Sequence, residues 1–134
     1  MRRAWLVAAL LLAACRARPV PPLTAPGAAV TADDEQALVA HAATLEQALR
    51  TRGLVFEEPA LQRHLDSVTT RIVPGDAAAH VPFHTLVIRS PDTNAYALPN
   101  GALCVDVGLL ADLEDEAQLA HVLAHEVSHV VARH

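Results

Sequence analysis

The sequence predicts an α+β domain, and three observations carry that prediction. Apolar residues recur at helical spacing in two successive stretches. The middle of the chain changes to short strand-like runs separated by turn signals. One long stretch rich in Ala, Leu and Val then closes the 134 residues with a second change of period. The length permits one domain and little more. With aromatics at only 3%, its core must be built from Ala, Val and Leu, each burying little area.

The amino terminus is set apart from this domain. Arg2 and Arg3 precede an apolar run from Ala4 to Ala14. That run falls short of the roughly 20 residues that span a bilayer and suits the hydrophobic region of a secretory signal. It ends Leu12-Ala13-Ala14-Cys15, which resembles the lipobox of bacterial lipoproteins. The resemblance implies cleavage before Cys15, acylation of that residue and, with Arg16 following it, sorting to the outer membrane of a Gram-negative envelope. Residues 1–14 are thus expected to be a signal peptide and 15–31 a lipidated tether. Pro19, Pro21, Pro22, Pro26 and Gly27 make that tether a semi-extended spacer without an apolar face. The domain is expected over 32–134.

Thr31 with Asp34 fits a capping box, and Leu38, Ala42, Leu45 and Leu49 repeat at helical spacing until Arg50, Arg52 and Gly53. A second helix starts at Glu58-Pro59, with Pro59 suited to the first turn. It carries the stripe Leu61, Leu65, Val68 and Ile72 and stops at Pro74-Gly75. Strands are expected over 83–89, 94–98 and 102–107, with Ser90-Pro91-Asp92 and Pro99-Asn100-Gly101 as turns. The last helix runs from about Asp115 to the end. Its residues Leu119, Ala120, Leu123, Ala124, Val127, Val130 and Val131 make it apolar over most of its circumference, which predicts a buried helix.

Composition excludes one broad class. Ten Lys+Arg against 15 Asp+Glu, a formal charge of −5 and no basic cluster argue against a nucleic-acid binder. If Cys15 carries lipid, Cys104 has no disulfide partner and reads as a small buried hydrophobe.

The chemistry lies in the last helix, in His125-Glu126-Val127-Ser128-His129. Two His four residues apart sit about 40° apart around a helix and roughly 6 Å along it, so both imidazoles can meet one ion. Zinc suits such ligands. Glu126, on the flank of the same face, can hold the attacking water, take its proton and deliver it to a leaving amine. A chance match to H-E-x-x-H is expected about 0.02 times in a chain of this composition. Two surface histidines without a metal are the simpler alternative, and an enclosing apolar helix fits them poorly. His121, one turn before His125, is too far to share the ion and is expected to line the cleft or support the ligands. His134 falls on the opposite side of the helix. His41, His64, His80 and His84 read as solvated or structural.

These residues also carry a family resemblance. The run Asn94-Ala95-Tyr96-Ala97-Leu98-Pro99-Asn100-Gly101 is followed by Gly108-Leu109-Leu110 and Glu116-Ala117-Gln118-Leu119-Ala120. After them come the H-E-x-x-H motif with Val130, and Arg133-His134. Together they resemble metallopeptidase family forty-eight, that of the CAAX prenyl endopeptidases, the HtpX heat-shock proteases and envelope lipoprotein proteases. The close resemblance covers residues 79–134. It implies a zincin-like fold, of which this chain holds the first half, and one zinc ion per complete domain. It also implies His125 and His129 as ligands and Glu126 as the catalytic carboxylate. The edge strand Asn94, Ala95, Tyr96, Ala97 and Leu98 would then pair with extended or unfolded protein substrates.

Members of that family take a third ligand, a Glu, from a later helix. No acidic residue of this chain has that position. The sequence is therefore expected to be a fragment of a longer protease, or a degenerate lipoprotein that kept the front of the domain. Two functions follow. One is a membrane-anchored zinc metalloendopeptidase acting on misfolded or surplus envelope proteins. The other is a non-catalytic lipoprotein that binds client chains as a chaperone or assembly module.

Overall fold

The computed structural model describes residues 20–28 and 33–133. Cys15 with its signal, Thr31 of the expected capping box and His134 lie outside the described residues.

The element order is α1 (Asp33–Thr51), α2 (Pro59–Ile72), α3 (Gly75–Ala78), β1 (His84–Ile88), β2 (Ala95–Ala97), β3 (Ala102–Asp106), α4 (Val107–Asp112) and α5 (Glu116–Ala132). Helix α2 begins where the Glu58-Pro59 signal placed it. The Glu58 carboxylate accepts the Leu61 N–H at 2.6 Å, satisfying one of the donors a helix start leaves open. Two short helices were not expected. Pro74 ends α2 but also opens the single turn of α3, and α4 continues directly from β3 with Asp106 as its first cap.

The three strands form one mixed sheet in the order β1-β3-β2. β3 lies parallel to β1, with Leu86 opposite Cys104, and antiparallel to β2, with Tyr96 opposite Cys104. The turn from β2 to β3 uses Leu98-Pro99-Asn100-Gly101: the Gly101 N–H donates to Leu98 O at 2.9 Å and the Leu98 N–H to Ala102 O at 2.8 Å. Gly101 has φ +89, and a Cβ there would stand 2.6 Å from a Val81 methyl. This residue must be glycine for both reasons. Gly108 is constrained by space alone, since a Cβ would lie 2.1 Å from the Pro91 carbonyl oxygen.

Alternation sorts the strand residues to two faces. Val87, Leu103 and Val105 point to a core shared with Leu65 and Val68 of α2 and Leu119, Leu123 and Val127 of α5. Thr85 faces the same way, and its hydroxyl meets that of Thr69 at 2.9 Å, so both buried hydroxyls are satisfied. Leu86, Ile88, Ala102 and Cys104 point the other way, toward Ala42 and Leu49 of α1. The sheet is a layer between α1 and the α2–α5 pair.

The α1 stripe departs from expectation. Ala42 and Leu49 face the sheet, but Leu38 and Leu45 are 57% and 41% exposed. The half-buried positions include Glu35 and Glu46, and Glu46 is the reason for the rotation. Its Oε2 accepts from His84 Nε2 at 3.1 Å and Asn100 Nδ2 at 3.0 Å, and its Oε1 from Arg50. Burial pushes the pKa of this carboxyl up. The hydrogen bonds from Arg50, His84 and Asn100 outweigh that and hold it below its ordinary value of 4.5. His84 is thus structural, one of the two readings its sequence allowed.

The expected spacer also departs. Leu23 is 2% exposed and packs with Ala77 and Val81 against Phe83, Val130 and Val131. Its neighbours form turns, with Ala25 N–H donating to Pro22 O and Ala28 N–H to Ala25 O. The prolines limit conformations without preventing one apolar side chain from docking. Residues 20–28 therefore belong to the folded unit.

Candidate metal centre

The motif helix starts at Asp115. Its carboxylate accepts the Gln118 N–H at 2.8 Å, and Gln118 Oε1 accepts the Glu114 N–H at 2.9 Å, a reciprocal arrangement that satisfies two open donors. The helix ends in a left-handed Arg133, φ 58, whose N–H donates to His129 O and Val130 O.

Between those caps α5 is buried along one face only. Leu119, Leu123, Glu126 and Val127 are buried, whereas Ala117, His121, Ala124, His125, Ser128 and His129 are exposed. The expectation of a helix enclosed all round is corrected here. Much of the apparent apolarity came from alanines, which bury so little area that exposing them costs little. The histidine motif therefore sits on the open side, above a face anchored in the core.

Helical periodicity brings the two motif histidines together. Their Nε2 atoms are 3.1 Å apart and their rings stand perpendicular with centroids 4.7 Å apart. Two imidazole nitrogens bound to one tetrahedral ion at ~2.05 Å lie about 3.3 Å apart. The pair thus has the separation of two adjacent corners of such a site. Glu126, 9% exposed, is the one charged residue among the buried positions of α5, next in sequence to His125. Among the described residues no group of three His, Cys, Asp or Glu gathers around a common point. Among the described residues the donor set fits an imidazole-bound ion at two corners and supplies no third protein ligand. His121 is exposed one turn earlier, and no side-chain hydrogen bond among the described residues links it to either motif histidine.

The expected substrate strand is an edge of the sheet. Asp106 N–H donates to Asn94 O at 3.0 Å and Leu98 N–H to Ala102 O at 2.8 Å, so Asn94, Tyr96 and Leu98 bond inward to β3. Antiparallel alternation turns the N–H and C=O of Ala95 and Ala97 outward. The side chains of Ala95 and Ala97 pack against the core that holds α5, so this edge runs beside the motif helix. The opposite edge is covered. Phe56 N–H donates to Val87 O at 2.8 Å and Arg89 N–H to Leu54 O at 2.7 Å.

On the α1 side of the sheet, Tyr96 lies across from Cys104. Burial, then the neighbouring Cys104 and Asp106, push the Tyr96 phenol up to about 12. Burial also raises the Cys104 thiol to about 11 despite its hydrogen bond with Tyr96. A protonated, buried thiol is inert, in line with the sequence reading of Cys104.

Sequence reasoning missed Glu46 and Leu23. Glu46 is 54 residues from Asn100, and no local pattern announces a carboxylate that a distant turn amide will bind. Leu23 shares its proline-rich stretch with Val20, and nothing local tells which of the two will dock.

Two imidazoles one helical turn apart, with a carboxylate next to the first of them, match the H-E-x-x-H arrangement of metallopeptidases. The chain belongs to peptidase family M48, whose pattern it matches over residues 59–134. It is 34% identical over 86 residues to the beta-barrel assembly-enhancing protease of Escherichia coli, a match covering 64% of this chain and 18% of that protein. The Yersinia pestis protein of the same name is 29% identical over 111 residues, covering 83% of this chain and 22% of the relative. Mitochondrial metalloendopeptidase OMA1 of Bos taurus is 42% identical over 62 residues, covering 46% and 12%. The chain spans about a fifth of the length of the bacterial relatives.

Proposed function

We propose that this chain carries the zinc-binding part of a metalloendopeptidase that hydrolyses peptide bonds of envelope proteins, misfolded or surplus ones among them. The observation that carries this reading is the 3.1 Å separation of His125 Nε2 and His129 Nε2 beside the buried Glu126. Zinc, when bound there, supplies a Lewis acid that brings the pKa of a water toward about 7. His125 and His129 would hold the ion, and a further protein ligand would have to come from outside the described residues.

Glu126 accepts the proton of the attacking water and returns it to the leaving amine. Its root in the packed face of α5 keeps that carboxylate in place, so little ordering is left for the reaction. An extended peptide adds to β2 through the outward N–H and C=O of Ala95 and Ala97. This recognises backbone more than side chains and suits unfolded clients. Lipid attachment at Cys15 and residence in the outer membrane, facing the periplasm, belong to the same proposal. They rest on the Leu12-Ala13-Ala14-Cys15 run. Among the described residues no helix is long and apolar enough to cross a membrane.

In the natural full-length protein, about one zinc per chain is expected, lost in His125→Ala or His129→Ala. Glu126→Gln is expected to keep zinc and lose cleavage of casein by 10²-fold or more. Equal zinc content in the unmutated protein and both His variants would refute the assignment. The open β2 edge also supports client binding without catalysis. Glu126-independent retention of unfolded protein, with no cleavage by the unmutated chain, would favour that second reading.

A further inference from the structure

The carboxyl end of α5 is held by a segment that precedes the first helix. A helix leaves its last four carbonyls without partners inside itself. In α5, Arg133 N–H serves His129 O and Val130 O, and Leu23 N–H donates to Val131 O at 2.9 Å. The Leu23 side chain fills the pocket made by Ala77 and Val81 and packs on Val130 and Val131. Glu35 of α1 adds an ion pair to Arg133 at 3.3 Å. His129 lies in this same last turn, two residues from the carbonyl that Leu23 caps.

We infer that residues 20–28 act as a strap and that Leu23 is a positioning residue for the metal centre. The strap supplies a hydrogen bond and an apolar plug that fix the last turn of α5, and so fix His129 Nε2 against His125 Nε2. It also joins the site to the segment leading toward Cys15. The metal part of this inference rests on the zinc reading above; the docking of the strap does not.

The test uses the natural full-length protein with Leu23→Asp, and Leu23→Met as the conservative control. Zinc affinity is read by competition with a chromophoric chelator, and amide hydrogen exchange is read without metal. In the unmutated protein the Leu23 amide is expected to exchange slowly, as a bonded donor should. Leu23→Asp is expected to weaken zinc binding about tenfold, the scale seen when groups supporting a ligand are lost. It should also speed exchange over 130–133 while leaving 65–69 unchanged. Leu23→Met should restore both. Should Leu23→Asp fail to fold, Leu23→Ala carries the same expectations without adding charge.

Unchanged affinity and exchange would overturn the inference, as would equal acceleration over 65–69, which marks a merely structural role. An unmutated protein that binds no zinc would overturn the metal reading, and the exchange result would still decide whether the strap holds the helix end.

Discussion

The two faces of the sheet are built on different principles. Toward α2 and α5 the contacts are apolar, with one hydroxyl pair, Thr69 with Thr85, satisfied internally. Toward α1 the apolar contact is small, chiefly Ala42 and Leu49, and a carboxylate hub at Glu46 ties helix to strand and turn. The difference teaches where rigidity is concentrated. Non-directional burial fixes the layer that carries the metal helix, because close packing there tolerates neither voids nor excess volume. Directional hydrogen bonds fix the outer helix, which has two large leucines turned to solvent and so little apolar area to hold it.

The largest effect is expected where the apolar face is broken. Leu123 is fully buried at the centre of α5. Leu123→Ala should cost about 2–5 kcal/mol in denaturant unfolding, and it should loosen the motif helix with the core. A loss below 1 kcal/mol would mean that this face is not the stabilising one.

Breaking the hub should cost less. Glu46→Ala leaves His84 and Asn100 half-buried without their acceptor, and a loss of about 1–3 kcal/mol is expected. The acid limb sharpens the point. Glu46 is held below 4.5 in the fold, so the folded state binds its proton less readily than the unfolded chain. Its contribution is complete above about pH 4.5 and fades as pH falls through the lower folded value. Glu46→Gln should therefore flatten the stability profile below about pH 4.5 and leave its neutral slope unchanged. An identical acid limb in the two proteins would remove Glu46 from the account.

The smallest effect should come from the outward side of α1. Leu45→Gln is expected to change stability by less than about 0.5 kcal/mol, measured by the same unfolding curves. A loss of 2 kcal/mol would show that Leu45 is covered in the intact protein.

Much of the motif geometry was legible in advance, because it is local. The spacing of His125 and His129 sets their separation through helical periodicity alone, whatever the helix packs against. The Asp115 cap, the Glu58-Pro59 start and the Pro99-Asn100-Gly101 turn are likewise short-range, each decided within a few residues. The rotation of α1 was not legible. Leu38 and Leu45 match the helical period as well as Ala42 and Leu49 do, and period alone cannot choose between neighbouring faces when carboxylates have distant partners.

What the sequence by itself determined was thus the kind of each main element and the chemistry of one helix face. Those follow from backbone propensities and from residue spacing, both of which act over a single turn or strand. Only the tertiary structure decided that β3 lies between β1 and β2, that Glu46 faces inward to meet His84 and Asn100, and that Leu23 caps the helix carrying His129. These join residues dozens of positions apart. Each depends on closing a long loop whose entropy cost is repaid only when many such contacts form together.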